Sequence, residues 1–286
     1  MSSFFSKCWL AAQYRKRQLV VPAGLSLLLV AGSSLYAQEG EDRRTPAAPA
    51  ADTLTAQVAE WSKLKIVKEH ADDKREVLRG STHDLSTLDI RAYTLPYGKS
   101  RDMSAEADAL VIVKEGSLTV TIDKVKPKVL GPGSVALIPA GEFCVFLNMT
   151  DTSTTYYIFQ FQSRSPENKE RARQAGPPFL IDWKEMVMKK TDKGESRQIF
   201  DRPAAWLGRI DMHATTLNAG EVSHPPHIHR AEEIILMRSG NVQEYIGGKY
   251  YKATAGDLIF LPSGVPHALE NKSNERCEYF ALQWML

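Results

Sequence analysis

Residues 256–271 read GDLIFLPSGVPHALEN, and residues 133–148 read GSVALIPAGEFCVFLN. Gly256, Pro262, Gly264 and Asn271 each answer an identical residue, Gly133, Pro139, Gly141 and Asn148, at an offset of 123. Upstream, Asp211-Met-His-Ala-Thr-Thr-Leu217 answers Asp89-Ile-Arg-Ala-Tyr-Thr-Leu95, and Arg197-Gln-Ile-Phe200 answers Arg75-Glu-Val-Leu78, both at an offset of 122. A long period that recurs in this way means that one structural unit is present twice. Between turn residues the chain carries short apolar, β-branched and aromatic runs: ALVIVKEG, SLTVTID and TTYYIFQFQ in the first copy, EEIILMRSG, DLIFLPSG and EYFALQWM in the second. Many short strands at close spacing specify an all-β barrel or sandwich.

Four of the seven histidines fall between residues 224 and 267. His227 and His229 are two apart, so on an extended strand both side chains project from one face. Glu233 begins the next strand, sharing a face with Ile235 and Met237, and His267 follows the Pro262-Ser-Gly264 turn. Three imidazoles and a carboxylate converging inside a barrel suit one divalent transition metal; Mn, Fe, Ni, Co and Zn all accept such ligands. A lone histidine is usually structural, but four ligand-type residues at these spacings outweigh that reading. His224 precedes the group and reads as a rim residue. Gln283 and His213 are candidate pocket residues on strands bordering the same interior, although Gln160 at the place matching Gln283 argues for a structural pairing. No catalytic residue is assigned.

The run His227-Ile-His229, Glu233 and Gly240, followed by Gly256, Pro262, Gly264, His267 and Asn271, resembles the cupin superfamily. The motifs of that superfamily run G-x5-H-x-H-x3-E-x6-G and G-x5-P-x-G-x2-H-x3-N. The one departure is a loop longer by a residue between Gly220 and His227, at His224-Pro-Pro. The resemblance covers residues 75–286 and implies a bicupin: two tandem double-stranded β-helix (jelly-roll) barrels with a few short helices. Counting back from Gly116, which answers Gly240, the ligand positions of the first copy fall on Met103, Ala105 and Ala109, with Cys144 in the place of His267. The metal motif is therefore expected only in the C-terminal barrel, and the first copy reads as a structural partner. Cupins host dioxygenases, decarboxylases, isomerases, hydrolases and lyases, and the fold does not choose among them. Double cupins such as oxalate decarboxylases usually keep ligands in both copies, which counts against that assignment. The resemblance implies a small polar molecule, a carboxylate or a sugar-derived compound, bound and transformed at one metal. The alternative is a non-catalytic sugar-binding or storage-type bicupin.

Residues 1–37 read as a signal peptide, with basic Arg15, Lys16 and Arg17, an apolar run over residues 19–31 and then small residues. The expectation is an exported protein, periplasmic or extracellular, with an uncleaved N-terminal anchor as the alternative. Residues 38–74 read as a linker with one short amphipathic helix over residues 56–72, residues 75–165 as the first barrel, 166–196 as the connection and 197–286 as the second barrel. The formal charge of +2 conceals the basic leader; beyond residue 37 there are 32 basic and 34 acidic residues. A near-neutral body without a Lys/Arg run has no footprint for nucleic acid or an anionic membrane, and no stable membrane insertion is expected once the signal is removed. Cys144 and Cys277 fall in different copies and make no disulfide framework. A homodimer remains open.

Overall fold

The computed structural model describes residues 53–286, Ala71 and Lys124 excepted. The expected signal peptide and nearly all of the Ala/Pro-rich tether lie outside the described residues. The first copy comprises β1 (Gln57–Ala59), a 3-10 turn (Trp61–Lys63), β2 (Val67–Glu69), β3 (Asp72–Gly80), β4 (Leu85–Leu95), β5 (Ser100–Ser104), β6 (Asp108–Glu115), β7 (Leu118–Ile122), β8 (Val125–Leu130), β9 (Val135–Ile138), β10 (Phe143–Leu147) and β11 (Thr154–Ser163). Helix α1 (Lys169–Ala175), capped by Asn168, lies in the connection. The second copy comprises β12 (Phe179–Ile181), a 3-10 turn (Trp183–Glu185), β13 (Lys189–Thr191), β14 (Gly194–Arg202), β15 (Arg209–Leu217), β16 (Glu232–Ser239), β17 (Asn241–Ile246), β18 (Lys249–Thr254), β19 (Leu258–Leu261), β20 (His267–Glu270) and β21 (Cys277–Met285).

Each copy folds as a seven-stranded sheet facing a smaller one, the jelly-roll arrangement. The large sheets have the orders β12-β9-β6-β11-β4-β3-β2 and β1-β19-β16-β21-β15-β14-β13, and the small ones β5-β10-β7-β8 and β18-β17-β20. Strand alternation sends one set of side chains into each barrel and the other set outward. In β16, Ile235 and Met237 enter the barrel core, whereas Ile234 and Leu236 join Leu88, Ile90, Leu110 and Phe159 of the first copy in a shared core between the two large sheets.

The amphipathic helix expected over residues 56–72 does not form. Strand β1 pairs with β19 of the second copy, Val58 opposite Ile259, and β12 pairs with β9 of the first, Leu180 opposite Ala136. An open sheet edge offers unpaired N–H and C=O groups, and satisfying them decides the conformation over local periodicity. Each arm ends on a tryptophan: Trp61 packs edge-on against Tyr157 at 5.6 Å, and Trp183 against Phe280 at 5.9 Å. The repeating unit therefore starts near residues 57 and 179, earlier than barrels drawn at 75–165 and 197–286, and residues 179–191 belong to the second unit rather than to the connection.

The exchange is sealed by polar contacts at matching places. The buried carboxylate of Glu232 accepts from Thr82 Oγ1 at 2.5 Å, His83 N at 3.0 Å and Trp284 Nε1 at 3.1 Å. Asp108 stands at the corresponding place in β6 and accepts from Trp206 N at 2.7 Å. Gly133 and Gly256 hold φ of +89° and +92°, and a Cβ on them would meet the rings of Trp183 and Trp61 at 2.9 and 3.0 Å. Replacing Gly256 by Ala should therefore destabilise by about 2–3 kcal/mol, combining backbone strain with a displaced tryptophan. Gly141→Ala, at φ +87° with nothing within 4 Å, should cost only ~1 kcal/mol. Urea denaturation of both variants checks the difference; equal losses would mean that the arm tryptophan is not held at Gly256.

Candidate metal centre

The strand expected to carry His227 and His229 is absent as a regular element. The equivalent of β5 is reduced to two isolated bridges, Val222 with Glu270 and His227 with His267; in the latter His227 N donates to His267 O at 3.2 Å and His267 N donates to His227 O at 3.1 Å. Pro225 and Pro226, in the longer loop, have no N–H to extend a ladder. The segment stays anchored because Gly264 N donates to His229 O at 2.9 Å. Glu233 enters from β16 and His267 from the first residue of β20.

The ligand nitrogens of His227, His229 and His267 all lie within 4.8 Å of one another. The ring centroids are 4.6 Å apart for His227 and His267, 4.8 Å for His229 and His267, and 5.3 Å for His227 and His229. Glu233 Oε2 lies 3.1 Å from His229 Nε2 and 3.4 Å from His267 Nε2. The other nitrogens of these two rings face backbone carbonyls: His229 Nδ1 donates to Ala231 O at 2.8 Å and His267 Nδ1 to Val265 O at 2.9 Å. A carbonyl oxygen only accepts, so in each neutral ring the single proton sits on Nδ1 and the Nε2 lone pair points inward. His267 Nε2 is buried without a hydrogen-bond partner. Two imidazole lone pairs therefore face the buried carboxylate of Glu233, an arrangement that repels unless a cation lies among them. A proton meets that need in part and a divalent metal meets it fully, so the donor set fits a metal.

The titration properties follow from this geometry. Burial pushes the Glu233 carboxyl up, but the hydrogen bond to His229 and the close imidazole of His267 outweigh it and hold the group at about 2. The bond to Glu233 raises His229, against burial. His227 is lowered by burial and by the neighbouring imidazoles. His224, read from sequence as a rim residue, stands edge-on to His227 at 4.1 Å and is lowered by burial.

Gln283 lies directly across from Glu233 on one side and Asp211 on the other. His213 is two residues beyond Asp211 on the same face of β15, opposite Ala281. Two acidic groups at this centre escaped the sequence reading. Asp211, raised by burial, has one carboxylate oxygen bonded to Arg209 and the other buried without a partner. Glu244 in β17 is 1% exposed with neither oxygen bonded. The signal for Glu244 lies in Asn241-Val-Gln-Glu-Tyr-Ile246, where period-two alternation sets it between Val242 and Ile246 on the inward face.

The first copy shows what the same scaffold does without ligands. Met103 pairs with Cys144 as His227 pairs with His267, and Gly141 N donates to Ala105 O as Gly264 N does to His229 O. Ala109 pairs with Gln160 as Glu233 pairs with Gln283. Burial pushes the Cys144 thiol up to about 12, leaving a packed, unreactive sulfur. A cavity of about 450 Å³ opens at the mouth of this barrel, lined in part by Arg79, Arg91, Arg101, Asp89 and Gln160. Its arginines are engaged: Arg91 with Asp89 at 2.6 Å, and Arg101 with Asp72 at 3.1 Å.

A family model described as a cupin domain matches residues 214–283, the part of the chain that holds this centre. No curated protein sequence matches the chain significantly. Among solved structures, a putative glyoxylate-induced protein from Pseudomonas aeruginosa is similar at 15% identity and TM-score 0.64, over 84% of this chain and 93% of that one. An oxalate decarboxylase from Lactobacillus farciminis, solved as a formate complex, is similar at 14% identity and TM-score 0.62, over 81% and 87%. AerE from Microcystis aeruginosa is similar at 14% identity and TM-score 0.59, over 78% and 97%. Likeness at these identities establishes the fold.

Two measurements follow from the geometry. Replacing His227, His229 or His267 by Ala should remove bound metal with the fold retained, and Glu233→Gln should weaken binding less, because an amide oxygen still coordinates. Metal content of the four variants beside the parent checks this, and a full equivalent in all four would contradict the shell. The second measurement is a pH series. In metal-free protein the depressed Glu233 contributes stability that is complete above its ordinary 4.5 and is lost as pH falls toward about 2. The raised His229 contributes fully below 6.5 and loses that contribution as pH rises through its folded value. Metal binds imidazole only without its proton, so loading reverses the second dependence. The gap in melting temperature between loaded and metal-free protein should widen from about pH 5 to about pH 7.5; a constant gap would contradict the assignment.

Proposed function

We propose that this chain, which has the bicupin fold and a cupin domain in its second half, is an exported protein that holds one divalent metal at His227, His229, Glu233 and His267. There it transforms a small polar molecule, with a small carboxylate as the leading class. The observation that supports the metal is the pair of inward Nε2 lone pairs opposed to a buried carboxylate. When bound, such an ion supplies Lewis-acid polarisation and a template for substrate.

The remaining groups define what the site does to a ligand. Gln283, held between Glu233 and Asp211, presents an amide able to donate to a carboxylate or carbonyl oxygen while accepting from a hydroxyl. His213 sits one step further on β15. The apolar surround of Ile235, Met237, Leu261, Leu269 and Tyr279 lowers the local dielectric and strengthens each polar contact. Similarity in fold to an oxalate decarboxylase solved with formate supports the carboxylate class. Export rests on the leader pattern in residues 1–37.

The test is turnover by metal-replete protein, with Mn, Fe, Co, Ni and Zn loaded separately, against short mono- and dicarboxylates and sugar acids, products being followed by NMR. Metal-dependent conversion of at least one carboxylate is expected. Tight binding without product would replace the enzyme with a binding module, and neither binding nor conversion would remove the carboxylate class.

A further inference from the structure

Glu244 is the least explained polar group in the second barrel. Its side chain lies on the inward face of β17 between Val242 and Ile246, within the apolar cluster that includes Leu217, Leu269 and Tyr279. Both carboxyl oxygens are buried and unbonded. A buried polar group without a partner costs about 1–3 kcal/mol, and among the described residues no ion pair or hydrogen bond offsets that cost here.

Its position relates it to the metal centre. Directly opposed residues of an antiparallel pair share a face, and Ile246 opposes His267 while Glu244 opposes Leu269. Glu244 is therefore the diagonal neighbour of His267, at a Cβ separation of ~7–8 Å that a long side chain spans. His267 Nε2, also buried, has no hydrogen-bond partner and faces the Glu233 carboxylate at 3.4 Å. Both groups thus lie on one face of the barrel interior. The first copy supplies an internal control: Val120 opposes Phe146 as Glu244 opposes Leu269, and it is fully buried. The barrel with the imidazoles has a carboxyl at this position, and the barrel without them has valine.

We propose that Glu244 is the inner anchor of the ligand site, its carboxyl hydrogen-bonding an oxygen of the small molecule held at the three imidazoles. This rests on the metal-centre reading and adds a recognition element to it. In the metal-free protein burial, followed by the nearby charge of Glu233, pushes Glu244 up to about 8; with an ion on Glu233 the burial among apolar side chains remains, and it favours the protonated carboxyl that offers an O–H. A donor of that kind selects a ligand that presents an anionic or carbonyl oxygen toward the barrel interior, as a carboxylate does while bound through its other oxygen.

The test compares the parent with Glu244→Val, which copies the first barrel, and Glu244→Gln, which keeps a donor. Three quantities are read: Co(II) affinity of the protein, melting temperature of the metal-free form, and acetate affinity of the Co(II)-loaded form from its visible absorption. Co(II) affinity should stay within about twofold in both variants, because Glu244 is not a ligand to the ion. Glu244→Val should melt higher than the parent, since an unpartnered carboxyl is removed. Acetate binding should weaken about tenfold or more in Glu244→Val and only about threefold in Glu244→Gln. Unchanged acetate affinity in Glu244→Val, a lower melting temperature, or loss of Co(II) affinity would each overturn the inference while leaving the three-imidazole centre standing. A parent that takes up Co(II) but no acetate would also overturn it. A parent that takes up no Co(II) would overturn the centre and this inference together.

Discussion

The structure depends on the burial of two seven-stranded sheets against each other. Each sheet is apolar on both faces, and an apolar outer face cannot be left to water. In this chain the cover for each copy is its twin: Leu88, Ile90, Phe159 and Phe161 from the first meet Ile234, Leu236, Leu282 and Trp284 from the second. The arms make the pairing reciprocal, because β1 completes the second sheet and β12 completes the first. Glu232 and Asp108, buried at the same place in each copy, then accept backbone N–H groups from the opposite copy. A partner that supplies strand, tryptophan and hydrogen-bond donors is part of the other domain's fold, which accounts for keeping a barrel that lacks metal ligands.

That division of labour frees the interiors to differ. The shared face fixes the alternate outward residues, and the inward set of the first barrel forms a packed core of Met103, Ala105, Ala109, Val120 and Cys144. The second barrel holds His227, His229, Glu233, Glu244 and His267 at the corresponding places, so polar groups that oppose folding are gathered in one interior. Such groups detract from stability unless something binds them, and stability elsewhere in the fold offsets them.

Much of this was legible in the sequence because the repeat, the turn glycines and the ligand spacing are local patterns. Gly133 and Gly256 both take positive φ at matching turns, and Asn148 and Asn271 each cap a loop by bonding backbone carbonyls through Nδ2. The arms were not legible, since an amphipathic stretch over residues 56–72 fits a helix until the free edge of β19 enters the account. Even so, Trp61 and Trp183 recur at the same offset of 122 as the strands that follow them. The irregular segment at His227 was missed because the effect of Pro225 and Pro226 depends on where β20 runs. Glu244 was missed because a carboxyl at an inward position looks like an exposed charge until the register against His267 is known.

The central claim is that His227, His229, Glu233 and His267 together require a cation and that a divalent metal supplies it. X-ray absorption at the metal edge on protein purified from its native host, paired with anomalous diffraction, tests it most directly. The account predicts one metal per chain in the second barrel, with about three nitrogens and a carboxylate oxygen at ~2.0–2.2 Å and the remaining positions filled by light atoms. Metal located in the first barrel beside Cys144, or a fully ordered second barrel whose imidazoles bond only to protons and water, would contradict it.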